Sequence, residues 1–251
     1  MKFAKFIGGA LVLAMGGPIG GIIGFALGAI ADDRTTESTQ HRINPGERNR
    51  YQQYRHHTQT GDFASALLVL SAAVMKADNR LLKSELNFIR DFMTKQFGAA
   101  RAAELIGIMK PILEKEIPIR EVCEQIRYYM EHPMRLQLLY YLYGIAQSDG
   151  SVDQREVEVI EKIASYLGIS QADFSSLRAM YFKDPSSAYK ILEIEPSVTN
   201  EEVKKAYRKM AMKYHPDKVR DLGPEHQKSA QEKFIKVQDA YEQIKKDRGF
   251  V

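Results

Sequence analysis

Three residues whose side chains suit a protein contact stand together near the carboxyl end of the chain, in the run His215-Pro216-Asp217. A proline disfavours helical geometry in the residue before it, so the upstream helix should end at about Tyr214 and leave the tripeptide in an exposed turn. One face of that helix is basic, and it carries Lys204, Lys205, Arg208, Lys209 and Lys213. Such a rim of like charge speeds encounter with an acidic partner.

The helix that ends at the tripeptide has clear signals of its own. It is predicted to begin at Thr199, which forms a capping box with Glu202. A shorter helix before it is expected to begin at Asp184-Pro185, a capping aspartate followed by a proline, with Tyr189 and Leu192 on its apolar face. The apolar face of the long helix comprises Val203, Ala206, Tyr207, Met210, Ala211 and Tyr214. This pattern is typical of an amphipathic helix packed on a partner helix.

A third helix should run to about Lys246 after a polar loop. Its apolar residues lie alternately four and three positions apart, and they are Ala230, Phe234, Val237, Tyr241 and Ile244. This spacing is typical of a long antiparallel packing seam. The sequence therefore predicts two long helices joined by a turn that begins with the tripeptide.

The run from Ala206 to Lys218 resembles the J-domain signature, and Ala240-Tyr241-Glu242 resembles the matching stretch of that domain's third helix. The resemblance implies that His215, Pro216 and Asp217 stimulate ATP hydrolysis by a DnaK-class chaperone. It also implies that the five basic residues dock on that chaperone. Without the tripeptide, the same lysines would favour a merely solvated helix face.

Some features depart from the J-domain pattern. Glu193 stands where many J-domains place a glycine after the leucine, and the chain stops at Val251 without a fourth short helix. The sequence also has no stretch rich in glycine and phenylalanine and no cysteine-repeat zinc domain. The resemblance therefore implies the regulatory contact and does not extend to the holding of client proteins.

The middle of the chain is predicted to be a helical bundle. From Phe63 to about Phe182 apolar residues recur at helical spacing, which indicates six or seven helices. The prolines of this stretch are expected where helices begin or end, and they are Pro111, Pro118 and Pro133. Cys123 is expected to be a small buried apolar residue. As the single cysteine, it excludes an intrachain disulfide and a cysteine-rich zinc module.

An internal duplication lies within this bundle, and each copy consists of a helix, an acidic turn and a second helix. The recurring acidic residues are Asp78 and Glu85 in the first copy and Asp149 and Glu156 in the second. Asp153 and Glu156 form a capping box, but Leu82 replaces the aspartate in the first copy, so capping leaves the recurrence of Glu85 unexplained. Calcium or magnesium prefers such oxygen ligands, yet the EF-hand pattern is absent, and we predict no bound metal or cofactor.

This duplicated pattern resembles the TerB-like domain of tellurite-resistance proteins and of membrane-anchored DnaJ-like proteins. The resemblance covers roughly residues 61–181 and implies paired acidic turns in a helical bundle. It leaves open a metal- or stress-responsive scaffold in which the J-domain is a secondary recruiter. A titration of the bundle with calcium or magnesium would distinguish the two readings.

The amino-terminal end is predicted to be a membrane anchor. Residues 6–31 carry no charge, and this uncharged run is long enough for a helix to cross a bilayer. Glycines recur on one face of this helix, at Gly16, Gly20, Gly24 and Gly28, and such a face allows two membrane helices to form a homodimer. A secretory signal peptide is the alternative, because Lys2 and Lys5 precede the run and Ala29-Ile30-Ala31 has the form of a cleavage site. The excess of arginines after the run favours a cytoplasmic carboxyl-terminal side.

Residues 32–60 hold one aliphatic residue, Ile43, and are predicted to be a flexible linker. His41, His56 and His57 are expected to be solvated there. The sequence also shows no nucleophile elbow and no phosphate loop, which argues against an enzyme. Tyr207 and Tyr214 belong to an apolar face and are unavailable for base stacking, which argues against nucleic-acid binding.

The order of these segments resembles the DjlA class of membrane-anchored co-chaperones. We therefore predict an all-α chain with an anchor (1–31), a linker (32–60), a TerB-like bundle (61–182) and a J-domain (184–251). The resemblance implies a bacterial inner-membrane protein with its carboxyl-terminal domains in the cytoplasm. Its implied partners are a DnaK-class chaperone and membrane lipid.

Overall fold

The computed structural model describes residues 60–78, 82–150, 153–182 and 184–250. Every regular element within these ranges is a helix, which confirms the predicted all-α class. Gly16, Gly20, Gly24 and Gly28 of the predicted anchor lie outside the described residues, as does nearly all of the predicted linker. Within the described part of the chain, we find no helix that is both long enough and apolar enough to cross a membrane.

Seven helices form the bundle in the first part of the described chain. They are α1 (Thr60–Met75), α2 (Lys83–Phe97), α3 (Ala99–Leu113), α4 (Ile119–Tyr129), α5 (His132–Ala146), α6 (Gln154–Tyr166) and α7 (Gln171–Tyr181). The prediction of six or seven helices is confirmed. Pro118 and Pro133 lie at the starts of α4 and α5, as expected. Pro111 was predicted at a helix boundary but lies inside the last turns of α3, so that prediction is wrong at this position.

Helices α1 and α5 form the centre of the bundle. From Asp62 to Met75 every residue of α1 is buried, and α5 is buried from Leu136 to Ala146. A helix that is apolar on all sides must be surrounded by other helices, and here α1 and α5 pack on each other and on their neighbours. At Gly144 of α5 an added Cβ would lie 2.7 Å from Cζ of Phe88, so a larger residue would require the Phe88 ring of α2 to move.

The carboxyl-terminal unit, residues 184–250, consists of α8 (Ser187–Ile191), α9 (Asn200–Lys213), a 3-10 helix (Pro216–Leu222) and α10 (Pro224–Arg248). The predicted capping box at Thr199 and Glu202 is confirmed. The first helix was predicted to begin at Pro185, but it begins two residues later. Asp184 instead forms a turn, in which its carboxylate accepts hydrogen bonds from the N–H of Ser186 and from Lys190.

Helix α10 joins this unit to the bundle. Its apolar side packs on α9, with the rings of Tyr207 and Tyr241 stacked 4.4 Å apart. Another side meets the bundle, where the His226 ring lies 4.4 Å from Phe63 and 5.3 Å from Phe92. The buried residues of the two units form one continuous apolar core. Burial lowers the pKa of His226 to about 3, so the ring is neutral in this aromatic pocket.

A lysine is buried where α10 meets the bundle. Lys233 donates to the side chain of Gln137, and its ammonium lies 5.0 Å and 5.6 Å from the ring centres of Tyr140 and Tyr214. The amide of Gln137 in turn donates to the hydroxyl of Ser229 at 2.7 Å. Burial lowers the pKa of Lys233 to about 7, because no solvent stabilises its charge.

Replacement of Lys233 by methionine is expected to change how stability depends on pH. The folded pKa of about 7 lies below the ordinary lysine value of 10.5, so the folded chain binds fewer protons than the unfolded chain between these pH values. Stability contributed by the neutral amine is therefore lost as the pH falls from 10 to 7, by about 1.4 kcal/mol per pH unit. Lys233→Met should remove this slope in urea unfolding of the full chain in detergent micelles. Lys246→Met, at an exposed position of the same helix, should keep it.

Candidate functional site

The tripeptide singled out by the sequence lies at the surface, directly after α9. His215 caps the 3-10 helix, and Pro216 is the first residue of that helix. The backbone N–H of Asp217 donates to Nδ1 of His215 at 3.3 Å, which fixes the neutral ring as the tautomer with its proton on Nε2. The side chains of His215 and Asp217 are 51% and 73% exposed. An imidazole and a carboxylate are thus both exposed on one turn.

The segment that follows the tripeptide packs against neighbouring elements. Val219 and Leu222 of the 3-10 helix are buried, and the His215 ring lies 6.3 Å from the ring of Phe234 in α10. The backbone oxygen of Leu222 accepts a hydrogen bond from Gln96 of α2 at 2.7 Å. Contacts from both α10 and the bundle therefore hold the segment that presents the tripeptide.

The basic residues of α9 fall into two groups. Lys205 and Arg208 are exposed, and Lys204 is partly exposed, with a surface carboxylate, that of Glu201, 3.8 Å from its ammonium. Lys209 and Lys213 instead contact acidic side chains of other elements. All five basic residues belong to α9, and the last two lie in ion pairs that the sequence did not reveal.

Glu193 supplies one of these acidic groups. Its carboxylate lies 3.1 Å from the ammonium of Lys209 and also contacts Lys213. Among the described residues, Glu193 is the one non-glycine residue with positive φ, at 57°. A left-handed backbone costs a residue with a side chain about 1–2 kcal/mol, which explains why a glycine suits this position. The ion pairs with two lysines offset that strain.

Asp173 supplies the other acidic group, and it belongs to the bundle. It lies in the first turn of α7, where the Ser170 hydroxyl donates to its carboxylate at 2.8 Å. Its carboxylate contacts Lys213 and lies 3.4 Å from Nε2 of His132. Burial and then the charges of Arg135 and Lys213 lower the pKa of His132, so this ring is neutral and Lys213 balances the aspartate charge.

The acidic turns of the duplication have a structural role in the described residues. The capping box of Asp153 and Glu156 is confirmed, and Glu156 accepts from the N–H of Asp153 at 3.0 Å. Glu85 accepts from the N–H of Leu82 at 3.0 Å in the same way. The expectation that capping leaves Glu85 unexplained is therefore wrong. Glu85 caps the helix by accepting the N–H of Leu82, and this hydrogen bond does not depend on the side chain at position 82.

The two capping glutamates also contact each other across the duplication. Glu85 and Glu156 are both buried and share a hydrogen bond between their carboxyl groups. Burial, and the neighbouring carboxylates Glu156 and Asp78, raise the pKa of Glu85 to about 8, so one proton is retained by the pair at neutral pH. Within the described residues, no group of three or more His, Cys, Asp or Glu side chains is arranged to hold a metal ion.

Cys123 is fully buried in α4, which confirms the predicted apolar role. Burial raises the pKa of its thiol to about 12, so it is protonated and unreactive at neutral pH. His41, His56 and His57 lie outside the described residues, and their predicted solvated state stays a prediction.

Three family models match the chain in succession. The co-chaperone DjlA transmembrane domain matches residues 1–48, tellurite resistance protein TerB matches residues 64–179, and the DnaJ domain matches residues 187–248. The chain is similar to the co-chaperone protein DjlA of Escherichia coli O157:H7, with 28% identity over 287 residues that span 99% of this chain and 98% of the relative. It is also similar to that of Vibrio vulnificus strain CMCP6, with 29% identity over 75% of this chain and 78% of the relative.

The chain carries the three domains of a DjlA-type membrane J-domain co-chaperone, in the same order. The three models confirm the predicted succession of anchor, TerB-like bundle and J-domain, while the predicted domain limits stay predictions. No solved structure matches the chain. The DjlA transmembrane model at the amino terminus supports a membrane-anchored protein.

Sequence reasoning missed the residues that connect the J-domain to the bundle. His226, Ser229 and Lys233 are polar, so the apolar pattern of α10 excluded them, yet all three are buried. Asp173 was missed because it is far from the lysines of α9 in sequence. A signal did exist for Glu193, since it departs from the glycine of the family pattern.

Glu85→Gln is expected to stabilise the DjlA-type chain more at pH 8 than at pH 5. The folded pKa of Glu85 is raised, so the stability it contributes is present below about pH 5 and is lost as the pH rises through 8. The glutamine amide reproduces the protonated carboxyl and keeps an oxygen for the Leu82 N–H. The gain in unfolding free energy should be larger at pH 8 by about 1 kcal/mol or more in urea titrations. Glu158→Gln, at an exposed position on α6, should show no such difference.

Proposed function

We propose that this co-chaperone stimulates ATP hydrolysis by a DnaK-class chaperone through His215, Pro216 and Asp217. The observation that carries the proposal is the exposed, rigidly backed turn directly after a helix with a basic face. The DnaJ model over residues 187–248 and the printed names of the relatives support it. The chain itself performs no catalysis, and the chemistry is that of the partner.

The charge on α9 supports docking on an acidic surface of that partner. Exposed cations raise the rate of encounter and make it sensitive to salt, while the turn distinguishes one conformational state of the partner from another. A regulator of this kind acts by binding one state more tightly than the other, so the turn would shift the ATPase cycle without taking part in bond breaking.

The remaining segments set where this contact takes place. The anchor is proposed to hold the chain in the bacterial inner membrane with the bundle and the J-domain on the cytoplasmic side, where a DnaK-class chaperone and ATP are present. The glycine face of the anchor is proposed to form a homodimer. The TerB-like bundle is proposed to select a client or a neighbouring membrane protein.

Single-turnover ATP hydrolysis by a cognate DnaK tests the role of the turn. The full chain in lipid nanodiscs should accelerate hydrolysis, and His215→Gln should return the rate close to that of DnaK alone. The glutamine keeps a polar side chain of similar size but lacks the ring that accepts from Asp217. Equal acceleration by the two proteins would refute the assignment. His56→Gln, in the predicted linker, controls for the loss of a histidine elsewhere.

The double variant Lys205→Gln/Arg208→Gln tests the basic face. We expect the concentration needed for half-maximal stimulation to rise about tenfold at low ionic strength, and the difference to shrink as salt screens the charges. Lys110→Gln/Lys162→Gln removes the same net charge from exposed positions of the bundle. Stimulation by this control should stay within about twofold of the parent, because its charges lie outside the docking face. Similar losses in both variants would show that only net charge matters.

A further inference from the structure

The end of the basic face nearest the tripeptide is occupied by acidic groups of the same chain. The ammonium of Lys213, two residues before His215, contacts the carboxylates of both Glu193 and Asp173. The side chains of these two acids are 6% and 7% exposed, and that of Lys213 is 18% exposed. Ion pairs so far withdrawn from water are screened little by salt, unlike pairs at the surface.

The two carboxylates that contact Lys213 belong to different parts of the chain. Glu193 follows α8 within the J-domain and also reaches Lys209, whereas Asp173 projects from α7 of the bundle. Lys213 therefore links the J-domain to the bundle by charge, beside the tripeptide. Ser170 and the first turn of α7 hold the aspartate in place, so the link has a fixed geometry.

The other end of the basic face is differently placed. Lys205 and Arg208 are exposed, and the acid beside Lys204 is Glu201, whose side chain is 82% exposed. A partner can reach these side chains without displacing a buried group. The face consequently has an open end and an occupied end, and the occupied end adjoins the turn.

We propose that Glu193 and Asp173 form an intramolecular clamp on Lys213. The two carboxylates occupy the place of the partner's acidic surface, so the clamp must open before the partner can dock fully. The proposal rests on the function proposed above for the tripeptide. A partner with an acidic surface competes with these two carboxylates for the same ammonium. The apparent dissociation constant for the partner equals the intrinsic one divided by the fraction of molecules in which the clamp is open.

The clamp explains the residue at position 193. Its left-handed backbone favours glycine, yet a glutamate stands there and places its carboxylate between Lys209 and Lys213. Because Asp173 belongs to the bundle, any ligand that shifts α7 relative to α9 would release Lys213. The bundle thereby gains control over the affinity of the J-domain.

Two variants open the clamp from its two sides, Glu193→Gly and Asp173→Asn. Glycine relieves the positive φ, so a folding defect is not expected from the backbone at that position. In the nanodisc ATPase assay each variant should lower the concentration of co-chaperone for half-maximal stimulation. If the open form is about one-tenth of the population, the double variant should lower it about tenfold.

Glu201→Gln is the matched control, because it removes one negative charge from α9 without touching Lys213. Its effect should stay below about twofold, which separates the clamp from a gain in net positive charge. If Glu193→Gly and Asp173→Asn bind no better than this control, while the parent stimulates DnaK in a manner that requires His215, the clamp is refuted and the proposed function stands.

A readout without the partner tests the closed state itself. Burial lowers the pKa of Lys213 to about 8, so acylation rates are compared per neutral amine, from measurements at several pH values. On this scale, under brief acylation with an amine-reactive ester followed by peptide mass spectrometry, Lys213 of the full chain should react several-fold more slowly than Lys205. Glu193→Gly and Asp173→Asn should raise the rate at Lys213 and leave Lys205 unchanged. Equal rates at the two lysines in the parent would overturn the clamp even if no stimulation of DnaK were observed.

Discussion

Helix α10 is buried on two sides at once, and the position of the His-Pro-Asp turn depends on this constraint. One side packs on α9 and fixes the hairpin that carries the turn, while another packs on α2 and α5 of the bundle. The polar groups His226, Ser229 and Lys233 lie at the second contact and are withdrawn from water. Buried polar groups require partners or neutral forms. The hydrogen bonds from Lys233 to Gln137 and from Gln137 to Ser229 therefore favour this relative placement of the two domains.

That placement gives the His-Pro-Asp turn a defined orientation on the bundle. A His-Pro-Asp turn on an isolated hairpin would sample many directions relative to the bundle. Here the segment Pro216–Leu222 is held from behind by Phe234 and from the side by Gln96. The bundle thus acts as a mount for the J-domain, in addition to any role in the selection of clients.

Much of this architecture could be predicted from the sequence. The capping box at Thr199, the apolar face of α9 and the proline after His215 are local signals, and the structure confirms each of them. The contacts between Lys213 and Asp173 and between His226 and Phe63 could not be predicted, because they join residues that are distant in sequence and carry no pattern. Glu85 lies between these cases, since its spacing was visible but its partner Glu156 belongs to the other half of the duplication.

The complete burial of α1 has a consequence for how the chain is made. Phe63 near the start of the bundle is covered by His226, which lies close to the carboxyl terminus. Nearly the whole polypeptide must leave the ribosome before this aromatic contact can form, and contacts between such distant residues form slowly. Until then α1, an apolar helix of about four turns, lacks the contact that completes its burial. During synthesis, the nascent chain therefore exposes an apolar helix before its last contact can form.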